Sequence, residues 1–358
     1  MTTTQSKPRV LTGDTPTGRL HLGHYVGSVE NRVNMQQDYD CYFLLANMHA
    51  FTTRADKPEE IRADTLEIVK DWLACGIDPN QSTVVLQTEV PAIAELSWFF
   101  SMLIPFNRVM RNPTLKTEID SKGLGDQYAF GFPMYAVGQC ADILAFRPVY
   151  VPVGEDQVAH IEMCREVARR FDQLYCGVSS HAEDADFVGE GGVFPIPEAL
   201  VGKVGRLIGI DGKQKMSKSL GNAIFLSDNP KQVKKKMGKI FTGRQSPDEP
   251  GTVEGNPLFQ FVETFIKDEA RIAELKDRYT RGDNIGDGHI KVEVAEAISE
   301  LIEPMRERRA KYETPSGEDE VIDIIRAGTA KANVIAEETL WMAKESMGLG
   351  FMKRKLGF

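Results

Sequence analysis

The chain of 358 residues is 42% hydrophobic and carries a net charge of −9 at pH 7. This length is comfortable for two domains, and the negative charge excludes a general polyanion-binding protein, so contact with RNA requires a local basic patch. Five scattered cysteines without Cys-x-x-Cys spacing argue against a disulfide framework and a zinc site. An apolar signal region and an apolar run of membrane length are both missing, which predicts a cytoplasmic protein without a membrane or DNA partner.

The first candidate site is a strand, a glycine-rich turn and a helix start near the beginning of the sequence. Arg9-Val10-Leu11 predicts a short buried strand, and apolar residues at helical spacing predict a helix from His21 to about Gln37. A helix start offers free N–H groups to an anion, and His21 and His24 add side-chain donors beside it. Gly23 between them leaves room for a flat ligand. A plain turn with two surface histidines is the alternative.

Strand and helix signals then alternate as far as about Val153. This alternation predicts a parallel sheet with helices on both faces, and ligands in such a sheet lie beyond the carboxyl ends of the strands. The segment at about 105–145 includes a charged stretch, 107–122, that we interpret as an insertion over the sheet. The other predicted elements are strands at 41–46, 82–87, 149–153 and 206–210 and helices at 58–75, 91–103 and 135–146.

Two further stretches carry polar residues at notable positions, one within an apolar helix and one in a turn at the end of a predicted strand. Asp142 lies in an otherwise apolar helix, with Gln139 on the same face, and a buried carboxylate requires a partner. A solvent-facing or capped aspartate is the alternative. Gly154-Glu155-Asp156-Gln157 follows the predicted strand at 149–153 and begins the next helix, which makes it another turn at the ligand end of the sheet.

The last candidate site is the loop Lys215-Met216-Ser217-Lys218-Ser219, bounded by Gly212 and Gly221. Two lysines and two hydroxyl residues on a glycine-bounded loop suit a mobile clamp for a polyphosphate. A charged surface loop is the alternative.

Beyond about residue 225 the strand signals fade, and we predict a helical second domain at 226–358. A cluster of lysines on the helix at 229–239 suits either RNA phosphates or a solvated surface. Pro304 is expected to kink or divide the helix at 289–312. The other helices are predicted at 256–266, 269–279 and 318–347.

His21-Leu22-Gly23-His24 and Lys215-Met216-Ser217-Lys218-Ser219 together resemble the paired signatures of class I aminoacyl-tRNA synthetases. Within that class the chain is most similar to the tryptophanyl enzymes at 141–144, 151–157 and 347–350. The resemblance implies a Rossmann-like catalytic domain at 1–225 and an all-helical domain at 226–358 that reads the tRNA anticodon. It also implies a homodimer, and ligation of L-tryptophan to tRNA(Trp) through tryptophanyl-adenylate with release of AMP and pyrophosphate.

The same resemblance assigns roles to individual residues. Asp142 would accept the indole N–H, and Mg²⁺ would be held mainly by the ATP phosphates, without a metal site on the protein. Catalytic roles are implied for His21, His24, Lys215 and Lys218. Further substrate-binding residues are Leu11, Tyr135, Gln139 and Gln157. The implied ATP-binding residues are Thr15, Pro16, Thr17, Gly23, His24, Gly154, Glu155, Asp156, Leu207, Lys215, Met216, Ser217, Lys218 and Ser219.

Several positions depart from the tryptophanyl pattern. Gln139 with Asp142 is similar to the substrate helix of tyrosyl enzymes, which leaves tyrosine as an alternative substrate. Leu11, Thr15 and Glu118 stand where the tryptophanyl family often has an aromatic residue, a glutamine and a lysine. Another nucleotidyltransferase, or a non-catalytic paralogue that binds tRNA or a partner protein, are the remaining alternatives.

Overall fold

The computed structural model describes residues 7–202, 207–244 and 246–357. In the described part of the chain, five parallel strands form one sheet in the order β3-β2-β1-β4-β5. The strands are β1 (Arg9–Asp14), β2 (Asp40–Leu45), β3 (Ser82–Leu86), β4 (Tyr150–Val153) and β5 (Glu198–Val201). The predicted α/β class with a parallel sheet is therefore confirmed.

The centre of the sheet is β1, which lies between β2 and β4. The chain leaves β1 towards β2 and β3 and later returns on its other side with β4 and β5. Such a reversal opens a crevice at the carboxyl ends of the two central strands, where ligands of α/β folds bind. Thr12 ties the two strands together, since its hydroxyl donates to the carbonyl of Pro152 at 2.9 Å.

The helices of the first part of the chain pack on both faces of this sheet. The prediction at 58–75 is confirmed as Pro58–Cys75, with proline in the first turn and Gly76 ending the helix at φ 111°. The first helical run combines Leu22–His24, a π-helical turn at Tyr25–Val29 and Glu30–Met35. The others are Asn47–Arg54, Pro91–Ser101, Phe106–Met110, Pro113–Ser121, Gly131–Leu144 and Val158–Phe171, with short 3-10 and π turns at Gln87–Glu89, Glu155–Gln157, Asp172–Cys176 and Asp184–Asp186.

Two expectations for the first part need correction. The charged stretch at 107–122 is not only a cover over the sheet, because its helices bury Val109, Asn112 and Leu115 in the core. The predicted strand at 206–210 is absent beyond a single bridge from Ile208 to Lys215, and Arg206 lies outside the described residues. Leu207 and Ile210 are nevertheless buried in the core, so the apolar run reflects burial of an irregular segment and not a strand.

The second part of the chain is helical wherever the structure describes regular elements beyond residue 225. Pro304 does not divide its helix, which continues from Asp287 to Tyr312. The other helices are Pro230–Met237, Pro257–Phe265, Glu269–Arg281 and Pro315–Ser346. None of the helices in the described ranges has the length and apolar character required to cross a membrane.

The last helix returns to the sheet and packs on β3. At Gly328 it approaches so closely that a Cβ atom would overlap the backbone of Val84. One core cluster joins side chains of both parts of the chain, among them Trp72, Leu258 and Ile325. The second part of the chain therefore packs directly against one face of the sheet and is not connected to it by a linker alone.

Candidate active site

A cavity of about 1030 Å³ opens at the carboxyl ends of β1, β2 and β4. Its position is the one expected from the reversal of strand order. Polar side chains from well-separated parts of the sequence meet on its wall. The lining residues that the sequence singled out are Leu11, Thr15, Thr17, Gly23, His24, Tyr135, Gln139, Asp142, Gly154, Asp156, Gln157 and Lys218.

The remaining candidate residues lie beside the cavity and not on its wall. His21 is buried, and Met216 packs into the core beneath the first turn. Lys215 is exposed, and Leu207 is buried at the start of the second loop. The candidates outside the lining are Pro16, His21, Glu155, Leu207, Lys215, Met216, Ser217 and Ser219.

One end of the cavity is organised around Asp142, whose side chain is buried. Gln87, which follows β3, donates from Nε2 to Oδ1 of Asp142 at 2.7 Å. His49, on the helix that follows β2, has its Nε2 3.4 Å from Oδ2. Burial raises the pKa of Asp142, and His49 and the hydrogen bond from Gln87 only partly offset that effect. Sequence patterns did not single out His49 or Gln87.

A second buried histidine supports the same end of the cavity. His160 contacts Asn112 through Nδ1 at 3.2 Å and the hydroxyl of Tyr135 through Nε2 at 3.5 Å. Burial, with help from the nearby charge of His49, lowers the pKa of His160 to about 4. The amide of Asn112 can only donate to a ring nitrogen, so neutral His160 carries its proton on Nε2, towards Tyr135. Gln139 faces Gln157 nearby, with their amide groups 3.4 Å apart.

The paired histidines lie together, His24 on the wall of the cavity and His21 buried beside it. The rings of His21 and His24 stack with their centroids 3.7 Å apart. Burial lowers the pKa of His21 to about 3, with smaller contributions from His24 and Lys215, and burial also lowers the pKa of His24. The backbone N–H of His21 donates to Nδ1 of His24 at 3.3 Å. Neutral His24 therefore carries its proton on Nε2, where it can donate to a ligand.

Gly23 makes this stacked arrangement possible. A Cβ atom at residue 23 would lie 3.1 Å from the ring of His21 and 3.4 Å from the Cβ of Met216. Both distances are tight, so a side chain would push the histidine and the second signature loop apart. The close approach explains why glycine stands between the two histidines.

An ion pair between buried Arg32 and half-buried Asp14 lies at the end of β1, beside the first turn. Arg32 binds both carboxylate oxygens of Asp14, at 2.7 and 2.9 Å, and the indole N–H of Trp72 donates to the same carboxylate at 3.2 Å. Burial raises the pKa of Asp14, but the charge and hydrogen bonds of Arg32 outweigh it, so the net pKa is lowered. This two-bond contact between Arg32 and Asp14 fixes the end of β1 and leaves Asp14 ionised at neutral pH. No residue pattern in the sequence predicts this pair.

The second signature loop folds over the first turn. The ammonium group of Lys218 donates to the carbonyl of Thr17 at 2.8 Å and lies 3.9 Å from Asp64. Gly18 has φ +90°, and a Cβ atom there would overlap Nζ of Lys218. The two signatures, 200 residues apart along the chain, thus meet at one edge of the cavity.

Asn222 holds the base of that loop. Its buried amide donates to Oδ2 of Asp211 at 3.0 Å and to the carbonyl of Lys215 at 3.2 Å, and it accepts from the N–H of Ser217 at 2.7 Å. Gly209 leaves the space that the amide fills. The loop is therefore pinned at its start while the side chains of its lysines remain exposed.

Residues 3–303 match the family model of the class I tRNA synthetases for W and Y. The chain belongs to this family of class I tRNA synthetases. Among curated relatives, the tryptophan–tRNA ligase of Lactococcus lactis is 41% identical over 354 residues, which cover 97% of this chain and 100% of the relative. The tryptophan–tRNA ligase of Treponema pallidum is 41% identical over 345 residues, covering 95% and 97%.

A solved structure of the same family has a similar fold. The tryptophanyl-tRNA synthetase of Campylobacter jejuni, determined in complex with ADP and tryptophan, is 33% identical and superposes with a TM-score of 0.79. The match covers 95% of this chain and 100% of that one. This class I tRNA synthetase is accordingly an aminoacyl-tRNA ligase that uses ATP, and the expected Rossmann-like sheet with a helical C-terminal region is confirmed.

Within the synthetase, the described residues hold no group of three or more histidine, cysteine or acidic side chains arranged for a metal ion. Two of the acidic residues that line the cavity are already paired with arginines, Asp14 with Arg32 and Asp64 with Arg54.

Proposed function

We propose that the protein activates L-tryptophan with ATP and transfers it to tRNA(Trp). The carboxylate of tryptophan attacks the α-phosphate of ATP, giving tryptophanyl-adenylate and pyrophosphate. The 3′-terminal ribose of the tRNA then takes the tryptophanyl group and releases AMP. The observation that carries the proposal is that one cavity is lined both by Asp142 and by His24, Thr17 and Lys218.

In the proposed complex, the indole N–H donates to Asp142. An indole has one donor and no acceptor, so a carboxylate is the matching partner. Gln87, which lies outside the cavity lining, and His49, which is part of it, both contact that carboxylate and orient it. Phenylalanine would leave Asp142 without its partner, and an unpaired buried polar group rejects such an analogue strongly. The other proposed contacts to tryptophan are Leu11, Tyr135, Gln139 and Gln157.

The phosphates of ATP occupy the end of the cavity next to the paired signatures. Neutral His24 donates from Nε2, and Lys218, which also lines the cavity, adds positive charge. His21 acts through its stacking on His24, and Lys215 acts from the surface of the loop. Adenylate formation needs positioning and charge neutralisation more than covalent chemistry. Hydrogen-bond donors and positive charges of this kind are therefore the groups that the reaction requires. Loss of one such donor should cost about 2–4 kcal/mol of transition-state stabilisation.

The remaining ATP contacts come from the turns after β1 and β4 and from the second loop. Mg²⁺ would bind together with the nucleotide, mainly through the phosphate oxygens, and would supply positive charge beside the pyrophosphate group. The proposed nucleotide contacts are Thr15, Pro16, Thr17, Gly23, Gly154, Glu155, Asp156, Leu207, Met216, Ser217 and Ser219.

The helical region at 226–358 is proposed to form the tRNA-reading domain, which recognises the anticodon. Support comes from the helix Pro230–Met237, which directly follows the second signature and carries exposed Lys231, Lys234 and Lys235. A local basic surface of this kind is what an acidic protein needs to contact RNA phosphates. We infer that the enzyme performs this work in the cytoplasm.

We further propose that the enzyme is a homodimer. The helix Pro91–Ser101 buries Leu96 and Phe100 but leaves Trp98 62% exposed, and Met102 and Phe106 just beyond it are 65% and 59% exposed. Exposed aromatic residues in one patch are typical of protein interfaces. Light scattering at micromolar concentration should give twice the chain mass, and a monomeric mass would reject the dimer.

The proposed activity is tested by charging tRNA. Purified protein is incubated with ATP, Mg²⁺, bulk tRNA and either labelled tryptophan or labelled tyrosine. Acid-precipitable label should appear with tryptophan alone. Label with tyrosine alone would assign the site to the other amino acid of the family. Failure with both, in a folded protein, would contradict the proposal.

A further inference from the structure

A buried arginine of the helical region reaches the helix Pro58–Cys75 beneath the sheet. Arg309, on the helix Asp287–Tyr312, donates from Nη2 to Oε2 of Glu67 at 2.6 Å and from Nη1 to Oδ1 of Asp71. The exposed fractions of the Arg309 and Asp71 side chains are 5% and 1%. One guanidinium group therefore joins two carboxylates that lie one turn apart.

The same two carboxylates hold consecutive residues of the segment that leads into the first signature. Arg19 donates from Nε to Oε2 of Glu67 at 2.7 Å. The backbone N–H of Leu20 donates to Oδ2 of Asp71 at 2.6 Å. Each carboxylate therefore binds both Arg309 and one residue of the segment that leads to His21.

The opposite edge of this segment is held by the chain that follows the second signature. The carbonyl of Leu20 accepts from the N–H of Leu226 at 3.1 Å, and the N–H of Leu22 donates to the carbonyl of Ile224 at 2.9 Å. Residues 19–22 therefore lie between the acidic pair on one side and residues 224–226 on the other. Only the first of these two supports involves the helix Asp287–Tyr312, through Arg309.

We propose that Arg309 is a positioning residue for adenylate formation, which fixes the start of the His21–His24 turn through Glu67 and Asp71. This inference rests on the proposed function, because it assigns the fixed turn to the ATP reaction. Arg309 touches neither substrate. Its effect passes through Asp71 to the backbone of Leu20 and through Glu67 to the side chain of Arg19, and from this segment to the paired histidines.

The physical reason is the cost of leaving a buried carboxylate without its partner. Burial raises the pKa of Asp71 to about 6, and Arg309 is the strongest opposing influence. Without the guanidinium, Asp71 must take a proton, draw in water or turn away, and each change disturbs its bond to Leu20. Displacements of about 1 Å remote from the chemistry can cost a factor of about 10² in rate.

The test compares kinetic constants of Arg309→Met with those of wild type in tryptophan-dependent pyrophosphate exchange. We expect kcat to fall by about tenfold or more, while KM for tryptophan stays within about twofold, because the Asp142 end of the cavity is untouched. Adding Asp71→Asn to Arg309→Met removes the unpaired charge and keeps an oxygen for Leu20. The double variant should therefore recover part of the lost kcat.

Arg271→Met is the matched control. Arg271 pairs with Glu293 of the same long helix at 2.7 Å, away from residues 19–22, so its loss should leave kcat unchanged. All variants are assayed well below their melting temperatures. The inference is overturned if folded Arg309→Met and the double variant both keep wild-type kcat, or if KM for tryptophan rises as steeply as kcat falls. Absence of exchange in wild type would instead contradict the proposed function.

Discussion

Gln87 donates from Nε2 to the buried carboxylate of Asp142 at 2.7 Å. Its amide oxygen accepts from the backbone N–H of Met48 at 2.9 Å, which fixes the start of the helix that carries His49. Gln87 therefore positions both a carboxylate and a histidine of the proposed tryptophan site, without lining the cavity itself.

Gln87→Ala should raise KM for tryptophan. A hydrogen bond to a charged group is worth about 1.5–3 kcal/mol, which corresponds to a loss of roughly 10-fold to 100-fold in kcat/KM. KM for ATP should change little. The matched control is Gln81→Ala, at an exposed glutamine that precedes the same strand. Equal effects of the two substitutions would contradict the assigned role.

The binding of tryptophan should weaken as the pH falls from neutral to acidic. Burial raises the pKa of Asp142, so the carboxylate that accepts the indole N–H takes up a proton at a higher pH than an ordinary aspartate. KM for tryptophan, measured by pyrophosphate exchange, should rise through that titration. Asp142→Asn should have a high KM without this pH dependence. A KM that rises equally in both proteins would assign the titration to another group.

Asn222→Ala should impair the use of ATP and spare tryptophan. The substitution removes three hydrogen bonds that pin the start of the second signature loop. We expect KM for ATP to rise and kcat to fall, so that kcat/KM for ATP decreases by about tenfold or more, because buried polar partners are left unpaired. Gln214→Ala, at an exposed side chain of the same loop, is the control. A selective rise in KM for tryptophan would contradict this assignment.

Asp172 should make stability depend on pH in a direction opposite to that of a salt-bridged aspartate. Its buried carboxylate accepts from the N–H groups of Val193 and Phe194, yet burial raises its pKa from 3.8 to about 6. The folded state then binds a proton more tightly than the unfolded state. The resulting stabilisation is complete below pH 3.8 and is lost as the pH rises through about 6.

Melting temperatures of wild type and Asp172→Asn, followed across that interval, check this expectation. The difference between wild type and variant should shift in favour of the variant as the pH rises. Asp38→Asn replaces an exposed aspartate, and its melting temperature should change with pH in the same way as that of wild type. A constant difference between wild type and Asp172→Asn would refute the role of this carboxylate.

Local signals predicted much of the fold. Pro58 and Gly76 mark the ends of a helix because a proline suits the first turn and a glycine tolerates positive φ after the last, and both preferences act within a few residues. The edge strand β5 (Glu198–Val201) was not predicted. Its four residues are half-exposed or exposed, so they carry neither a buried run nor a clear alternation.

Some residues of the candidate site could likewise be predicted from local patterns, and others could not. His24, Lys218 and Asp142 were found because each lies in a stretch whose residue types and spacing have a chemical meaning. His49 and Gln87 carry no such signal, since one lies on a helix after β2 and the other in a turn after β3. Only the parallel order of the strands brings them to Asp142, and that order depends on the whole chain.

The most direct test of the account is exchange of labelled pyrophosphate into ATP, with tryptophan and tyrosine side by side, on wild type and Asp142→Ala. The account predicts exchange with tryptophan, none with tyrosine, and a loss of roughly 100-fold or more in kcat/KM in the variant, as expected when a buried polar contact to the substrate is removed. Exchange supported by tyrosine alone, or undiminished exchange with tryptophan in Asp142→Ala, would contradict it.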